Sequence, residues 1–154
     1  QLTSSTPTAL RAMWTLNAIG SANEDWLLEH TNDEREHIRT WAIKLLIDQG
    51  PLSTKTQKRF IEMAAKDKAG LVQLHLAGAL QKLPLKDRWP LASALVSQDT
   101  FAKDAVFPLM VWYGINPAVT EHRNEALKLV ANCKLPKVRQ FIARKLAGET
   151  GKKK

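Results

Sequence analysis

The chain has 154 residues, which is enough for one domain with a continuous hydrophobic core. Its composition, 44% hydrophobic and 25% charged, excludes a disordered or collagen-like protein, and no apolar run is long enough to span a bilayer. The formal net charge of +8 suits an anionic partner. Part of that charge belongs to a basic tail at residues 152–154, which we expect to lie outside a single domain at residues 1–151.

Five segments carry apolar residues at the spacing i, i+3, i+4, i+7 and i+8, which predicts a buried stripe along an amphipathic helix. In chain order, the five stripes are Leu10, Met13, Trp14, Asn17 and Ala18; Ile38, Trp41, Ala42, Leu45 and Leu46; Val72, His75, Leu76, Ala79 and Leu80; Val106, Leu109, Met110, Tyr113 and Gly114; and Val138, Phe141, Ile142, Lys145 and Leu146. Weaker amphipathic segments between the stripes predict partner helices around residues 26–28, 60–64, 91–95 and 127–131.

Glycine and proline mark the predicted breaks, because proline cannot continue a preceding helix and glycine suits its C-terminal cap. The breaks are expected at Gly50-Pro51, Leu83-Pro84, Asn116-Pro117 and Leu135-Pro136. No segment alternates with period two between hairpin turns, so no sheet is predicted. The stripes recur at intervals of 28 to 34 residues, as in helical hairpins that share a core with their neighbours. We therefore predict an all-α superhelical solenoid of four to five helical hairpins.

A pattern of charged residues specifies the type of repeat. Repeats of the HEAT type have an aspartate, four residues, an aliphatic residue and an arginine, so that the charged side chains of adjacent repeats can pair. Asp33 precedes Ile38-Arg39 with this spacing, and Asp67 precedes Val72-Gln73. Other repeats keep the arginine without the aspartate, as Arg11 and Arg139. The predicted solenoid is therefore HEAT-like.

Aromatic residues refine the expectation for individual repeats. In the third repeat, Phe101 and Phe107 replace the charged pair, so we expect the stack to bend or to pack aromatically there. Trp14 and Trp41 lie on the stripes and are predicted to be core residues. The neighbours Trp112-Tyr113 are about 100° apart on a helix, so one of them is predicted to reach the surface. The candidate interaction surface consists of Arg11, Arg39, Gln73, Trp112, Tyr113 and Arg139.

No residues have the spacing of a catalytic or metal site. The four histidines do not stand at ligand spacing. The single cysteine, Cys133, has no neighbouring histidine to activate it. The sequence contains no haem-attachment motif, glycine-rich phosphate loop or nucleophile elbow. We therefore predict no catalytic residue, no metal and no cofactor in this segment.

Three stretches are more specific than a general HEAT pattern: residues 83–91 (LPLKDRWPL), 107–113 (FPLMVWY) and 136–147 (PKVRQFIARKLA). They resemble the HEAT region of large bacterial membrane-bound dehydrogenases, in which a sugar-dehydrogenase-like propeller precedes the repeats and a c-type cytochrome domain follows. The resemblance implies a fragment of a longer exported or periplasmic protein. The quinone-dependent dehydrogenase site and the haem of that protein would lie outside these residues.

The leading hypothesis is a non-catalytic structural or docking segment, an interdomain scaffold of a multidomain redox protein. Its partners would be neighbouring domains of the same polypeptide or another protein, without membrane insertion. The alternative is a basic, HEAT-like, nucleic-acid-binding protein that resembles the alkylpurine DNA glycosylases. Acidic residues crowd the stretch from Glu24 to Glu36 and confine its positive field to the other end of the chain. A third hypothesis, a bilin-lyase or hydroxylase type of enzyme, lacks the histidine and carboxylate ligands of a metal hydroxylase.

Overall fold

A computed structural model describes residues 5–150, with side chains described for residues 5–148, and this part of the chain is helical with no β-strand. The predicted all-α class is therefore confirmed, whereas the predicted basic tail at residues 152–154 lies outside the described residues. The nine α-helices of the described part are α1 (Thr6–Ala18), α2 (Glu24–His30), α3 (Glu36–Asp48), α4 (Thr54–Lys66), α5 (Gly70–Ala79), α6 (Arg88–Val96), α7 (Phe107–Glu121), α8 (Arg123–Asn132) and α9 (Pro136–Thr150). Two short 3-10 helices connect α5 to α6, namely η1 (Leu80–Lys82) and η2 (Leu85–Asp87).

Local sequence signals explain where several helices begin and end. The side chains of Asn23 and Ser53 cap α2 and α4 by accepting the backbone N–H groups of Trp26 (2.9 Å) and Thr56 (3.1 Å). Gly50 follows α3 with a φ of 122°, in the left-handed region that favours glycine. Three predicted breaks fall between helices or at a helix start and are confirmed: Gly50-Pro51, Leu83-Pro84 and Leu135-Pro136.

The break predicted at Asn116-Pro117 is wrong, because α7 continues through the proline. Pro117 lacks the backbone N–H that would donate to the Tyr113 carbonyl, and its ring crowds the preceding turn. Two neighbouring helices supply donors at this point. Lys145 Nζ donates to the carbonyl oxygen of Asn116 at 2.7 Å, and Arg88 Nη1 donates to that of Gly114 at 2.5 Å. The helix therefore continues where the local sequence predicts its end, and side chains of α6 and α9 contact this part of it.

The predicted stripes are confirmed in α3, α5 and α9, where the first, third and fifth positions are buried. In α1 and α7 the buried stripe is displaced by one residue, so the predicted registers are wrong. The residues that point into the core are Ala9 and Met13 in α1, and Phe107, Val111 and Ile115 in α7. Each of these helices has an apolar residue beside the predicted first position, so its pattern fits two registers. Packing against the next helix selects one of them, and a shift of one residue rotates the stripe by about 100°.

The helices pack in chain order. Each odd-numbered helix from α1 to α7 contacts the next odd-numbered helix, and α4, α6 and α8 contact one another in sequence. Adjacent helices also pack as hairpins, α2 on α3, α4 on α5, α6 on α7 and α8 on α9. Across residues 5–150, no extensive contact joins α-helices more than two apart in order. One hydrophobic cluster nevertheless extends from Ala9 in α1 to Leu146 in α9, because each hairpin covers the apolar face of the next.

Candidate interaction surfaces

Asp67 is the centre of a polar brace between the first two hairpins. Its carboxylate accepts two hydrogen bonds from the Arg39 guanidinium, at 2.7 Å from Nε and 3.1 Å from Nη2. The same guanidinium donates to the backbone carbonyls of Asp33 (2.9 Å) and Glu34 (2.8 Å). The Gln73 amide donates to the Asp67 carbonyl oxygen at 2.7 Å. The predicted pairing of aspartate and arginine between adjacent repeats is therefore confirmed at this position.

Two of the six predicted surface residues are committed to this brace. Gln73 is only 2% exposed, so its assignment to the surface is wrong, because its amide satisfies carbonyl groups at the end of α4. The Arg39 side chain is 17% exposed. Arg11 is exposed on α1, but the pairing does not extend to it, since Asp33 binds Arg35 at 2.7 Å. The one-residue displacement of the α1 stripe takes Arg11 out of the place that Arg39 has in α3.

The remaining predicted surface residues lie on α7 and α9. Tyr113 is 57% exposed, whereas Trp112 is half-buried and stacks on Phe141 with ring centroids 5.4 Å apart. The expectation that one of the two adjacent aromatics reaches the surface is thus confirmed for Tyr113. Arg139 is exposed on α9. Because Arg11 lies on the first helix and Arg139 on the last, the six residues do not form one patch.

Two aromatic pairs occupy the places where the sequence predicts special packing. Phe101 and Phe107 lie with ring centroids 5.4 Å apart, which confirms aromatic packing in the third hairpin. Trp14 is 40% exposed and meets Trp41 edge-on at 4.8 Å, so its prediction as a core residue is wrong. Lys44 Nζ lies 5.6 Å from the Trp41 ring centroid, within the range of a cation–π contact.

The turns inside the hairpins lie side by side along one edge of the protein, which we name the turn edge. It consists of four turns and the residues that flank them, at residues 31–35, 67–69, 97–106 and 133–135. Hydrogen bonds connect successive turns. Beyond the Arg39 brace, Gln98 Nε2 donates to the carbonyl oxygens of Ala64 and Ala65 at 2.8 Å, and the Lys134 N–H donates to that of Val96 at 2.8 Å. The turn edge is therefore continuous from α2 to α9.

Lysines dominate the later part of the turn edge. Five are exposed, and none of them forms an ion pair with another residue in the range 5–148: Lys66, Lys68, Lys103, Lys134 and Lys137. Sequence reasoning missed this group because it compared the charges of residues near one another in the chain. It did not compare the charges of turns that pack side by side. The signal was present, since Lys68, Lys103 and Lys137 recur at intervals of 35 and 34 residues.

The aspartates among these lysines are largely occupied by other groups. The Asp67 carboxylate is held by Arg39. Asp104 accepts the backbone N–H groups of Phe107 (2.7 Å) and Val106 (2.8 Å) and caps α7. These two hydrogen bonds hold the pKa of the Asp104 carboxyl below its usual range, and the charge of Lys137 contributes in the same direction. Asp99 in the same turn is exposed, so five lysines stand against three aspartates and this part of the edge keeps a net positive charge.

An open cleft of about 390 Å³ lies between α6 and α8. It is lined by Lys86, Trp89, Pro90, Ser93, Glu125, Lys128, Leu129 and Asn132. Two of its three charged residues pair with each other, since Lys128 Nζ lies 2.8 Å from Glu125 Oε1, and Lys86 is the third. The indole N–H of Trp89 is buried without a hydrogen-bond acceptor. The cleft therefore combines apolar side chains with polar and charged ones.

The described side chains contain no cluster with the chemistry of a metal site, since no three His, Cys, Asp or Glu residues among them converge. Cys133 is 4% exposed, and burial raises the pKa of its thiol. Its Sγ lies 3.4 Å from the Leu135 carbonyl oxygen. The thiol is therefore protonated at neutral pH and shielded from reagents.

Comparison with known proteins found no family model, no curated protein and no solved structure that matches the chain significantly. The resemblance to the HEAT region of membrane-bound dehydrogenases accordingly stays a prediction. None of the helices within residues 5–150 is long and apolar enough to cross a membrane.

Proposed function

We propose that this chain is a HEAT-like α-solenoid segment that serves as a non-catalytic scaffold or docking module. The observation that carries the proposal is the order of the contacts, in which each hairpin packs extensively only on its neighbours. In repeat proteins of this kind, every unit hides its apolar face against the next, and the result is an extended stack. A closed bundle would instead bring the first and last helices together.

Polar braces at both ends of the hairpins support a role as a stiff spacer. On the turn edge, Arg59 Nε donates to the Thr31 hydroxyl at 2.8 Å, and the Arg39–Asp67 pair spans the next step. At the opposite ends of the helices, Lys55 at the start of α4 forms an ion pair with Asp25 at the start of α2. Hydrogen bonds at both ends of a hairpin oppose rotation relative to its neighbour. Such a stack would hold two attached domains at a fixed separation.

The proposed context is an exported multidomain redox protein, in which the segment separates a dehydrogenase domain from a cytochrome domain. This context rests on the sequence resemblance of residues 83–91 and 107–113. These two stretches pack together, because Arg88 in the first donates to the Gly114 carbonyl immediately after the second. The distinctive residues of the resemblance therefore lie where η2 and α6 pack against α7. Neighbouring domains of the same polypeptide are the proposed partners.

The stacked arrangement is tested by hydrogen exchange in two variants at equivalent core positions. Ile142 in α9 and Leu76 in α5 are both fully buried. Each alanine substitution is expected to cost about 2–5 kcal/mol. In a linear stack, Ile142→Ala lowers amide protection in α8 and α9 and leaves α1 to α4 protected, whereas the central Leu76→Ala lowers it on both sides. Uniform loss of protection in Ile142→Ala would contradict the stack.

The spacer role is tested by spin labels on the first and last helices. In a Cys133→Ala background, cysteines at Arg11 and Arg144 carry the labels, since both side chains are exposed. A pair at Gln140 and Arg144, both on α9, shows the width that the labels alone produce. A stiff spacer gives a single distance distribution for the long pair that is nearly as narrow as that of the control pair. A broad or multimodal distribution would overturn the role.

A further inference from the structure

We propose that the turn edge binds the sugar–phosphate backbone of a nucleic acid through Lys66, Lys68, Lys103, Lys134 and Lys137. This activity goes beyond the scaffold function. It requires only that the turns stand in the order described and does not depend on neighbouring redox domains. The five lysines come from three successive turns, so they follow the turn edge as a row and are not gathered at one point.

Contacts between the turns fix the geometry of this row. Gln98 joins the α6–α7 loop to the end of α4, beside Lys66. Phe101 in the same loop lies directly against Gly70, where an added Cβ would stand 3.2 Å from the ring. The Lys134 N–H is hydrogen-bonded to the last turn of α6. The lysine-bearing turns are thus attached to one another, and helix-to-helix packing of about 8–10 Å per step spaces them regularly.

Charge is asymmetric along and across the protein. At the start of the turn edge, the first turn carries Asp33 and Glu34, and its Arg35 is paired with Asp33 at 2.7 Å. The opposite ends of the helices hold acidic and basic residues together, including the Lys55–Asp25 ion pair. The later turn edge therefore carries more lysines than carboxylates, five lysines against the three aspartates Asp67, Asp99 and Asp104. A polyanion that lies along it would release counterions from its phosphates, which is the main driving force of such binding.

The side-chain types favour a phosphate backbone over a folded protein partner. Protein interfaces derive most of their affinity from a few buried aromatic or arginine residues. On this part of the edge, Phe101 packs against Phe107, and Arg39 is bound to Asp67. Lysines act as flexible point charges, which suit phosphates, whereas base reading uses bidentate arginine or amide groups. The expected binding is therefore sensitive to salt and insensitive to sequence.

Fluorescence anisotropy with a labelled DNA duplex of generic sequence, titrated at several salt concentrations, measures both the affinity and its salt dependence. Five phosphate contacts predict a slope of log affinity against log salt near −4.5 by the general value of about −0.9 per contact. The variant Lys68→Gln/Lys103→Gln/Lys134→Gln is expected to make the slope shallower by about 3. At low salt, its affinity is expected to fall by more than about tenfold.

A matched control removes the same charge elsewhere. The variant Lys58→Gln/Lys82→Gln/Lys86→Gln changes three exposed lysines outside the turn edge that form no ion pair within residues 5–148. It is expected to retain the slope and most of the affinity. An equal loss in both triple variants would show that diffuse net charge attracts the duplex, and it would overturn the proposal. A circular dichroism spectrum and a thermal unfolding curve for each variant establish that both are folded.

Three further experiments distinguish the proposal from alternative explanations of duplex binding. A variant with Lys152, Lys153 and Lys154 changed to glutamine is expected to bind the duplex with the wild-type dependence on the turn-edge lysines. If this variant loses all binding, the tail and not the turn edge is the contact. If polyglutamate or phosphatidylserine vesicles compete with the duplex at equal charge concentration, the proposed partner class is wrong. The spin-label distances are independent of all three experiments, so a failure of duplex binding leaves the spacer role standing.

Discussion

Replacing Arg88 tests how the structure keeps α7 intact around Pro117. Arg88 is 9% exposed, and its guanidinium donates to three backbone carbonyls: Leu83 at 2.9 Å from Nε, Gly114 at 2.5 Å from Nη1 and Gln81 at 3.4 Å from Nη2. No carboxylate among residues 5–148 forms an ion pair with it. The side chain therefore connects η1, the following loop and α7 through backbone groups alone.

The expected effect of Arg88→Met follows from two opposing contributions. Two short hydrogen bonds from a charged donor contribute about 1.5–3 kcal/mol each, and their loss leaves buried carbonyls without partners. Burial of the guanidinium has a cost, which also lowers the pKa of Arg88, and methionine avoids it while filling similar apolar space. We expect a net loss of about 2–4 kcal/mol in the free energy of unfolding. For a chain of this length, that corresponds to a fall of roughly 5–15 °C in Tm.

Urea denaturation followed by circular dichroism, together with calorimetry, measures both quantities. Arg123→Met is the control, because Arg123 is exposed at the start of α8, and a change within about 0.5 kcal/mol is expected there. Arg88→Lys keeps the charge but cannot reproduce the forked donors, so it should also be less stable than the wild type. If Arg88→Met is as stable as the wild type or more stable, the cost of burying the charge equals or exceeds the stabilisation by its hydrogen bonds. The role of Arg88 in keeping α7 intact around Pro117 would then be refuted.

Three further experiments probe separate parts of the structure. Gly114→Ala should destabilise by about 1–3 kcal/mol in urea, because its Cβ would lie 2.6 Å from that of Leu80, whereas Gly148→Ala, with no atom within 4 Å, should stabilise α9. Cys133 should react with a thiol reagent only as fast as the fold opens, and a rapid stoichiometric reaction in native buffer would contradict its burial. Glu24 accepts two hydroxyls at the start of α4, which lower its pKa below the ordinary 4.5. Its contribution is therefore complete above that pH and lost as the pH falls below it, and Glu24→Gln should flatten acid unfolding in that range.

Helix periodicity predicted the stripes of α3 and α9, because polar residues flank their first positions, whereas in α5 both Leu71 and Val72 could begin the stripe and the predicted one is buried. In α1, both Ala9 and Leu10 could begin the stripe, and the choice depends on contact with α3, which the sequence of one helix does not contain. The break predicted at Pro117 is wrong for a related reason. The side chains that donate to carbonyl oxygens of this part of α7 come from residues distant in sequence. The aspartate–arginine spacing did predict the contact of Arg39 with Asp67, because the positions of both residues are visible in the sequence pattern.

The candidate surface was harder to predict than the fold. Gln73 is buried because its amide donates to carbonyl groups at and after the end of the preceding helix. The sequence shows only that a glutamine stands where the pattern has an arginine, and it does not show those carbonyl groups. The lysine row depends on turns that are more than 30 residues apart in sequence and adjacent in space. The sequence shows that lysines are in excess. It does not show that lysines from different turns lie in one row. Only the order of packing brings Lys68 beside the turn that carries Lys103.

The contacts that join successive hairpins differ in chemistry. The protein should therefore resist deformation more strongly at some of these joints than at others. The Arg39–Asp67 joint is directional and bidentate, so a small shear breaks both of its hydrogen bonds. At the next joint, the Phe101 ring lies against Gly70 in a contact that tolerates sliding, and Gln98 adds two hydrogen bonds to carbonyl oxygens at the end of α4. A shift at this second joint would move Lys103 relative to Lys68, whereas a shift at the Arg39–Asp67 joint would leave the spacing of these two lysines unchanged.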